Sequence, residues 1–320
     1  MKVLVTGGAG FIGSHITDTL IEKGNEVIII DNLSTGLREN INPKAPFHLV
    51  DITKKEELKK VFQKENIDYV VHAAANSKVR VSRKDSIKNA KANIIGSLNV
   101  IDCCRKFNIK KVIYLSTGNA LYGDLKILPA KENFPIKPLS NYGISKYVVE
   151  SLFKDYFKNH NLDFISLRLA NVYGGRDTKE NDRVIPSFIN NLIKNKSPII
   201  FGNGLMERDF IYVGDVSKAV YLSLNKKTKD KIFNIGSGKS ISVNELLKKI
   251  SNIMGIKADP LYIERNENDE VKKIFLNIEK AKEQLNWYPK TDFNDGLIKT
   301  IDWHKRRIPK KSLFSRLIRN

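Results

Sequence analysis

The sequence predicts an α/β fold in which a doubly wound parallel sheet is joined to a smaller C-terminal α/β domain. Short β-branched runs alternate with helical patterns through the N-terminal half, which is typical of βαβ units. These runs are apolar almost throughout, as expected for strands that are buried on both faces. After about residue 175, loops lengthen and Asn, Lys and Gly become frequent, which indicates a second, smaller unit.

The individual elements follow from the same patterns. The apolar, β-branched runs predict strands at 3–6, 27–31, 48–50, 69–72, 112–116 and 164–169. Helical spacing predicts helices at 11–23, 56–65, 94–107, 146–160, 185–194 and 243–254, and the start of another at 281–285. Gly24 ends the first of these helices. We therefore divide the chain into a first domain (1–175, with returning segments near 209–236), a cap (176–208 and 237–303) and a basic tail (304–320).

Composition narrows the class of protein. The chain has 320 residues, of which 55 are basic and 35 acidic, giving a formal net charge of +20. The hydrophobic share of 41% is enough for a sizeable core. No apolar stretch approaches the roughly 18 residues that span a bilayer, and the N-terminus reaches its glycines too soon for a signal peptide. The adjacent Cys103 and Cys104 do not suit an ordinary disulfide, so we expect a reducing, cytoplasmic setting.

The first motif is Gly7-Gly8-Ala9-Gly10-Phe11-Ile12-Gly13, between a predicted strand and a predicted helix. Gly7 permits the tight turn, Gly10 lets a pyrophosphate approach the backbone, and Gly13 lets the helix pack close to the strand. The helix N-terminus then offers N–H donors and a partial positive charge to the phosphates. The alternative is a simple turn without a ligand. In this context the motif favours a Rossmann dinucleotide-binding domain.

An acidic residue follows at the expected distance. Asp31 ends the second strand, 18 residues after Gly13, where a carboxylate can accept hydrogen bonds from the adenine ribose diol. A 2′-phosphate would meet a like charge there, so NAD is favoured over NADP. Asp51 and Ile52 follow the third strand and are candidates for contact with the adenine edge. The alternative for Asp31 is that it only caps its strand.

A candidate catalytic group lies near residue 142. Tyr142 and Lys146 are four residues apart, so they share one face at the start of a helix. A phenol has an unperturbed pKa of about 10, which a neighbouring ammonium lowers. Tyr142 can then take a proton from a sugar hydroxyl while hydride leaves the same carbon. Ser116 and Thr117 follow the fifth strand, where a hydroxyl can bond the reacting oxygen. The alternative for Tyr142 and Lys146 is an ordinary pair on the protein surface. The alternative for Ser116 and Thr117 is that their hydroxyls only make local hydrogen bonds in a loop.

With these residues assembled, the chain resembles the extended short-chain dehydrogenase/reductases, in their NAD-dependent epimerase/dehydratase branch, over about residues 1–303. Within that branch it is most similar to the UDP-glucose 4-epimerases. The resemblance rests on residues 7–13, 31–36 (DNLSTG), 72–75 (HAAA), 93–96 (NIIG), 116–123 (STGNALYG), 142–146 (YGISK), 167–174 (LRLANVYG), 208–213 (RDFIYV), 233–238 (FNIGSG) and 285–287 (LNW).

The resemblance implies site residues beyond those argued from chemistry. It implies cofactor contacts at Gly7, Gly10, Phe11, Ile12, Gly13, Asp31, Asn32, Ser34, Thr35, Gly36, Asp51, Ile52, Ala73, Ala74, Ala75, Asn93, Tyr142 and Lys146. For a nucleotide sugar it implies Asn171, Arg208 and Arg265 at the diphosphate, Val184, Ile200 and Phe201 at the uridine, and Thr117 at the sugar. Arginine suits the diphosphate because its planar fork makes paired bonds to phosphate oxygens. The two arginines could instead be solvated surface charges.

The same resemblance implies an activity. It implies C4 epimerisation of a UDP-hexose of the UDP-glucose/UDP-galactose type through a 4-keto intermediate, with NAD bound throughout and Tyr142 as base. The usual catalytic hydroxyl position falls on Gly118, so we assign the hydroxyl to Thr117, with Ser116 next. The loop lacks the Thr-Asp-Glu of the dehydratases, which argues against 4,6-dehydration. Alternatives are a UDP-N-acetylglucosamine or UDP-glucuronate 4-epimerase, a nucleotide-sugar 4-ketoreductase, and a non-enzymatic NAD-binding regulator.

Partners are predicted from charge and resemblance. The resemblance implies a homodimer, and no metal site is predicted. Residues 304–320 contribute seven basic residues, and the remaining charge is spread over the chain, which does not indicate nucleic-acid binding. Leu313, Phe314, Leu317 and Ile318 are spaced as on one helix face among those basic residues. This pattern predicts weak contact of an otherwise cytoplasmic protein with an anionic membrane surface.

Overall fold

The computed structural model describes residues 1–77, 82, 84–178, 183–264 and 271–307. Its main feature is a seven-stranded, wholly parallel sheet in the order β11-β6-β5-β4-β1-β2-β3. These strands are β1 (Lys2–Thr6), β2 (Glu26–Asp31), β3 (Phe47–Leu49), β4 (Tyr69–His72), β5 (Lys111–Thr117), β6 (Phe164–Leu169) and β11 (Ile232–Ile235). This order confirms the doubly wound fold, and strand order reverses between β1 and β4.

Helices cover both faces of the sheet. The helices of the first domain are α1 (Phe11–Glu22), α2 (Lys55–Glu65), α3 (Ser86–Ala90), α4 (Gly96–Lys106), α5 (Asn119–Tyr122), α6 (Asn141–His160) and, returning later in the chain, α8 (Val213–Asn225). Side chains of α1 and α8 belong to the core on one face. Those of α2, α4 and α6 belong to the core on the other face. Burial on both faces explains why the strands are apolar almost throughout.

The side chains of β1 point alternately to the two faces of the sheet, so this one strand contributes to both hydrophobic cores. Val3 and Val5 pack on the α1 face, while Leu4 packs on the α2 face, and all three are fully buried. Successive side chains of a strand point to opposite faces, so an uninterrupted apolar run is what a two-sided sheet requires. Cys103 and Cys104 of α4 are buried in the second core as free thiols.

The cap forms a third core beside the carboxyl ends of the strands. It contains α7 (Val184–Ile193), α9 (Val243–Met254), α10 (Glu279–Leu285) and α11 (Phe293–Arg306). Its short strands form two small sheets: β8 (Ile199–Phe201) with β13 (Leu261–Ile263), and β9 (Glu207–Arg208) between β12 (Ile241–Ser242) and β14 (Lys273–Ile274). A further small sheet pairs β7 (Asn171–Tyr173) with β10 (Phe210–Tyr212), both within the segments assigned to the first domain. Apolar side chains of α7, α9 and α11 hold these elements together.

Several bounds differ from the sequence prediction. Helix α6 begins five residues earlier, at Asn141, because the Ser140 side chain caps it by accepting a hydrogen bond from the Gly143 amide. The helix predicted at 94–107 is preceded by α3 and by one wide, π-helical turn, Lys91–Ile95. Helix α11 continues to Arg306, into the segment assigned to the tail. None of the helices in the described ranges is long and apolar enough to cross a membrane.

Candidate active site

A cavity of about 850 Å³ opens at the carboxyl ends of the central strands. This is where ligands bind in open α/β sheets. It is lined by most of the predicted cofactor residues together with Ser116, Tyr142 and Lys146. The predicted cofactor residues on its wall are Gly7, Gly10, Phe11, Ile12, Gly13, Asp31, Asn32, Ser34, Thr35, Asp51, Ile52, Ala73, Ala74, Ala75, Tyr142 and Lys146. Gly36 and Asn93 lie outside this lining.

The glycine turn has the geometry that its motif predicts. Gly7 has a φ of +73° and donates its amide hydrogen to the Ile30 carbonyl at 2.7 Å. A Cβ on Gly7 would come within 2.7 Å of the Ala74 amide nitrogen, and a Cβ on Gly13 would clash with the Gly7 carbonyl oxygen. The turn therefore needs glycine at both positions, and it exposes the N-terminus of α1 to the cavity.

Asp31 is held at the end of β2 by the backbone. Its two carboxylate oxygens accept hydrogen bonds from the amides of Leu33 at 2.8 Å and Ala9 at 3.1 Å. Burial raises the pKa of Asp31, against the effect of these backbone bonds. A Cβ on Gly36 would lie 2.9 Å from both oxygens. The backbone at Gly36 therefore lies against the carboxylate, where a side chain would not fit.

The Asp51 carboxylate is fixed beside Asn32. Asn32 Nδ2 donates to it at 2.8 Å, and the amide and hydroxyl of Thr53 donate at 2.8 and 2.7 Å. Burial acts to raise the pKa of Asp51, but these hydrogen bonds outweigh it and the pKa is lowered. The loops after β2 and β3 thus form one polar wall, where the sequence predicted the adenosine.

Asn93 connects the loop after β4 to the catalytic helix. It is buried in the wide turn before α4, accepts from the Asn76 amide at 2.7 Å and donates to Ser145 Oγ at 3.2 Å. Asn93 lies outside the cavity lining, and its side chain holds Asn76, which is part of the wall; the predicted contact of Asn93 with the cofactor stays a prediction. Turns of this wide geometry are frequent at functional sites.

Tyr142 and Lys146 face the cavity from the first turns of α6. Burial raises the pKa of Tyr142 to about 12, and the charge of Arg183 acts in the opposite direction. Lys146 Nζ donates to the Leu115 carbonyl oxygen at 2.7 Å and lies 5.9 Å from the centroid of the Tyr142 ring. Burial lowers the pKa of Lys146 to about 7. The sequence analysis expected Lys146 to lower the pKa of Tyr142, but burial dominates and the pKa of Tyr142 rises.

Two hydroxyl side chains, Ser116 and Thr117, end β5, and their surroundings differ. Ser116 lines the cavity, and its Oγ is buried without a hydrogen-bond partner among the described residues. Thr117 Oγ1 accepts a long hydrogen bond, 3.4 Å, from the Ala120 amide and lies outside the cavity lining. The arrangement favours Ser116 as the hydroxyl beside Tyr142, whereas the sequence analysis placed Thr117 first.

Of the predicted substrate residues that the structure describes, none is on this cavity lining; Thr117 and Asn171 lie in the first domain and the others in the cap. Asn171 is brought next to Arg208, because β7 pairs with β10 and the Asn171 amide donates to the Asp209 carbonyl oxygen at 3.0 Å. Arg208 Nη1 donates to the Glu207 carbonyl oxygen at 2.9 Å. Phe201 and Val184 are half-buried. Ile200 is only 1% exposed within the cap core, and Arg265 lies outside the described residues.

Two arginines on the cavity wall are absent from the sequence prediction. Arg183 lies directly before α7, with its guanidinium 5.1 Å from the centroid of the Phe11 ring. Arg176 has a φ of +66°, pairs with Asp18 at 2.7 Å, and keeps Nη1 buried without a partner in the described chain. A basic residue at a helix N-terminus opposes the helix dipole, and this signal could have identified Arg183 as an anion-binding candidate.

Comparisons with known proteins agree with this geometry. Residues 3–236 match the family model described as the NAD dependent epimerase/dehydratase family. A Methanocaldococcus jannaschii relative, provisionally named a UDP-glucose 4-epimerase, is 46% identical, covering 95% of this chain and 98% of its own.

Two solved structures are also similar. The Thermotoga maritima UDP-glucose 4-epimerase with UDP-glucose has a TM-score of 0.93 and 40% identity, covering 96% of this chain and 99% of its own. The Thermus thermophilus UDP-glucose 4-epimerase with NAD has a TM-score of 0.91 and 33% identity, covering 96% and 100%. The resemblance found in the sequence is thereby confirmed: the chain belongs to the NAD dependent epimerase/dehydratase family.

Proposed function

We propose that this protein is an NAD-dependent 4-epimerase of a UDP-hexose, of the UDP-glucose/UDP-galactose type. The observation that carries the proposal is the shared cavity, in which Tyr142, Lys146 and Ser116 lie on one wall and the glycine turn and Asp31 on another. Relatives of that name at 33–46% identity over nearly the whole chain support it.

The residues present fit NAD. The glycine turn leaves space that a Cβ would fill, and the amides at the start of α1 suit a pyrophosphate. Asp31 would hold the adenine ribose, Asn32 and Asp51 would lie at the adenosine, and Lys146 would bond the nicotinamide ribose. When bound, NAD supplies reversible hydride transfer to and from the sugar carbon.

The chain's own contribution to chemistry centres on Tyr142. Its phenolate takes the C4 hydroxyl proton as the C4–H bond breaks, which leaves a C4 carbonyl, and it returns the proton when the bond re-forms on the other face. The proton and the hydride both return to the sugar, so no oxidant is consumed. Because burial raises the Tyr142 pKa to about 12, the phenolate depends on nearby positive charge, which Arg183 and the protonated fraction of Lys146 provide.

Inversion requires the keto sugar to present both faces. In the proposal Arg208 and Asn171 hold the diphosphate while the hexose turns about that anchor, and the uridine rests against Phe201 and Val184. Arg183 and Arg265 would add positive charge to the same end of the substrate.

The experiment is a product assay with purified protein and UDP-glucose, UDP-N-acetylglucosamine or UDP-glucuronate, separated by chromatography. We expect UDP-galactose from UDP-glucose without added cofactor. Tyr142→Phe should lower turnover by at least about 10²-fold while NAD remains bound, because the ring still fills its place. Full activity of that variant would show that Tyr142 is not the catalytic base.

The other readings give different results in the same assay. Inversion only of the N-acetylated or the uronic acid sugar would select those 4-epimerases. A 4-ketoreductase would consume added reduced cofactor in proportion to product. An NAD-binding regulator would invert none of the sugars, and the intact Tyr142/Lys146 pair argues against that class.

We infer further that the protein is a homodimer. Ile144 and Tyr147 of α6 are 46% and 37% exposed, and Ile95 before α4 is 49% exposed, although apolar side chains of this size are usually covered. Light scattering should give a dimer mass, and Ile144→Glu with Tyr147→Glu should give a monomer.

We also propose a cytoplasmic location with weak membrane-surface contact through the tail. Residues 308–320, outside the described ranges, carry the amphipathic pattern, whereas His304 is buried in α11 and Arg307 pairs with Glu39. Deleting 308–320 should therefore abolish binding to anionic liposomes and leave turnover intact. Unchanged liposome binding would reject the contact.

A further inference from the structure

A buried histidine lies where strand order reverses in the sheet. His72 ends β4 and is in register with Thr6 of β1 on one side and Tyr114 of β5 on the other. It is fully buried, with Nδ1 2.7 Å from Thr6 Oγ1 and Nε2 2.8 Å from Ser97 Oγ of α4. A polar ring inside a core costs free energy unless it is hydrogen-bonded, so packing alone does not explain a histidine here.

The hydrogen bonds around His72 select one form of its ring. Ser97 Oγ donates its single hydrogen to the Asn93 carbonyl oxygen at 2.5 Å, so it can only accept from His72. Nε2 must therefore carry a hydrogen. Thr6 Oγ1 accepts from the Ala74 amide at 3.2 Å and has its own hydrogen left to donate to Nδ1. The donors thus run in one direction, from β1 through His72 to the wide turn that contains Asn93.

Burial keeps this ring neutral. It lowers the pKa of His72 to about 3, and the charge of Lys146 acts in the same direction. Tyr114 contacts both groups: its ring stacks on the imidazole with centroids 5.8 Å apart, and Lys146 Nζ lies 4.7 Å from its centroid. A protonated imidazole would direct a second hydrogen at Thr6 Oγ1 and place a second cation near Lys146. The neutral form therefore suits both neighbours.

One end of this hydrogen-bond chain lies at the cofactor wall. Thr6 directly precedes Gly7, the first glycine of the turn. Its carbonyl oxygen accepts from the Ala73 amide at 3.2 Å, and its hydroxyl oxygen accepts from the Ala74 amide. Both alanines line the cavity. Thr6 therefore ties the loop after β4 to the strand end that carries the glycine turn.

The other end lies behind the catalytic helix. Ser97 bonds the main chain of the wide turn, and the Asn93 side chain in that turn donates to Ser145 Oγ at 3.2 Å. Ser145 Oγ in turn donates to the Tyr142 carbonyl oxygen at 2.8 Å. The Asn93 side chain also accepts from the amide of Asn76, which lines the cavity. A displaced turn would therefore shift the proposed base relative to the cofactor wall.

We propose that His72 is a positioning residue: as a neutral ring with its hydrogen on Nε2, it holds the glycine turn in register with the helix that carries Tyr142. All members of the chain belong to the first domain, so it acts on the cofactor and the base rather than on a nucleotide held by the cap. The inference rests on the proposed function and deepens it, because it names what aligns the cofactor with the base.

The first test separates kcat from KM in C4 inversion of UDP-glucose. His72→Leu removes both hydrogen bonds and should lower kcat about tenfold or more while KM changes less than about twofold, because small misplacements of reacting groups slow the chemistry. His72→Gln supplies an amide nitrogen close to the place of Nε2, so its kcat should lie between those of His72→Leu and the unmodified protein. The matched control is His304→Gln in α11, at a histidine that is 5% exposed, and it should alter neither value.

Ser97→Ala cuts the chain at the next link and keeps the proposal testable if His72→Leu does not fold. It should also lower kcat and leave KM unchanged. The double variant should be no slower than His72→Leu alone, because leucine has already removed the bond to Ser97. An unchanged kcat in the folded variants, or a loss carried by KM, would overturn the inference.

The form of the ring is tested without turnover. NMR chemical shifts of the imidazole nitrogens distinguish the two neutral tautomers from the cation, and the resonances missing from His72→Gln belong to His72. In the NAD-bound protein at about pH 7, Nε2 should carry a hydrogen and Nδ1 none. A hydrogen on Nδ1 would overturn the inference. Inversion of no UDP-hexose by the unmodified protein would overturn the proposed function instead, and the nitrogen shifts would still test His72.

Discussion

At the residue scale, the ammonium of Lys146 is the most strongly desolvated cation of the site. Its pKa of about 7 in the folded chain compares with an ordinary value of 10.5, so the unfolded chain binds more protons between these values. The free energy of unfolding should therefore rise between about pH 7 and 9 in protein stripped of NAD. Urea titrations at several pH values measure the rise, which should be smaller in Lys146→Met. Identical pH slopes for the two proteins would contradict the buried, proton-poor lysine.

Ser116 and Thr117 are distinguished by what surrounds their oxygens. Ser116 Oγ lines the cavity and has no hydrogen-bond partner within the described ranges, whereas Thr117 Oγ1 accepts a hydrogen bond from the Ala120 amide. Ser116→Ala should therefore lower kcat at least about tenfold, since it removes a hydrogen bond to the reacting oxygen. Thr117→Val keeps the side-chain shape and should lower kcat less. Steady-state kinetics of both variants measure the two losses in kcat. A larger loss in Thr117→Val than in Ser116→Ala would assign the catalytic hydroxyl to Thr117.

At the scale of secondary-structure elements, a buried ion pair ties the catalytic helix to the sheet. Arg168 of β6 donates to both oxygens of Glu150 of α6, at 2.6 and 3.1 Å, and to the Tyr122 hydroxyl at 2.8 Å. Both charged residues are almost fully buried. Arg168→Met removes the guanidinium that bonds both oxygens of the buried Glu150, leaves it, among the described residues, only the Ser166 hydroxyl at 2.9 Å and Lys154 at 4.0 Å, and should cost about 3–5 kcal/mol in the free energy of unfolding.

The exposed pair Lys282–Glu279, at 2.7 Å on α10, provides the matched control. Lys282→Met removes a similar charge at a site in water and should cost less than about 1 kcal/mol. Urea unfolding measures both. Comparable losses in the two variants would show that burial does not set the strength of the Arg168 pair.

Elements with strong local signals were predictable, and those that depend on distant partners were not. The β-branched runs and the glycine turn were sufficient to predict the doubly wound sheet, and Asp31 and Asp51 lie on the cavity wall where the adenosine was predicted. The sequence prediction missed α8, β11 and α11 as individual elements, because their faces are defined by packing against α1, β6 and the cap. Arg183 was missed, and Ser116 was ranked after Thr117, for a similar reason: only the assembled cavity shows what lies beside Tyr142.

At the scale of the whole molecule, the net charge of +20 should influence encounter with an anionic nucleotide sugar. Electrostatic steering weakens as salt shortens the Debye length, from about 30 Å at 0.01 M to about 3 Å at 1 M. We therefore expect kcat/KM for UDP-glucose to fall several-fold between these salt concentrations while kcat changes little. Steady-state assays across a salt series measure kcat and kcat/KM, and a series with sucrose at matched osmolality is the control. A salt-independent kcat/KM would show that the charge plays no part in substrate capture.

The two adjacent thiols of α4 give the folded molecule a built-in reporter. Cys103 and Cys104 are buried. Burial raises the pKa of Cys103 to about 11, and it also raises the pKa of Cys104 well above its ordinary value. Alkylating reagents react with exposed thiolate, so the native chain is nearly inert to them, and modification proceeds only through molecules whose α4 has opened. The labelling rate therefore measures the free energy of that opening without any engineered probe. A ligand that binds in the cavity and stabilises the sheet should therefore lower the rate at which the two cysteines are alkylated.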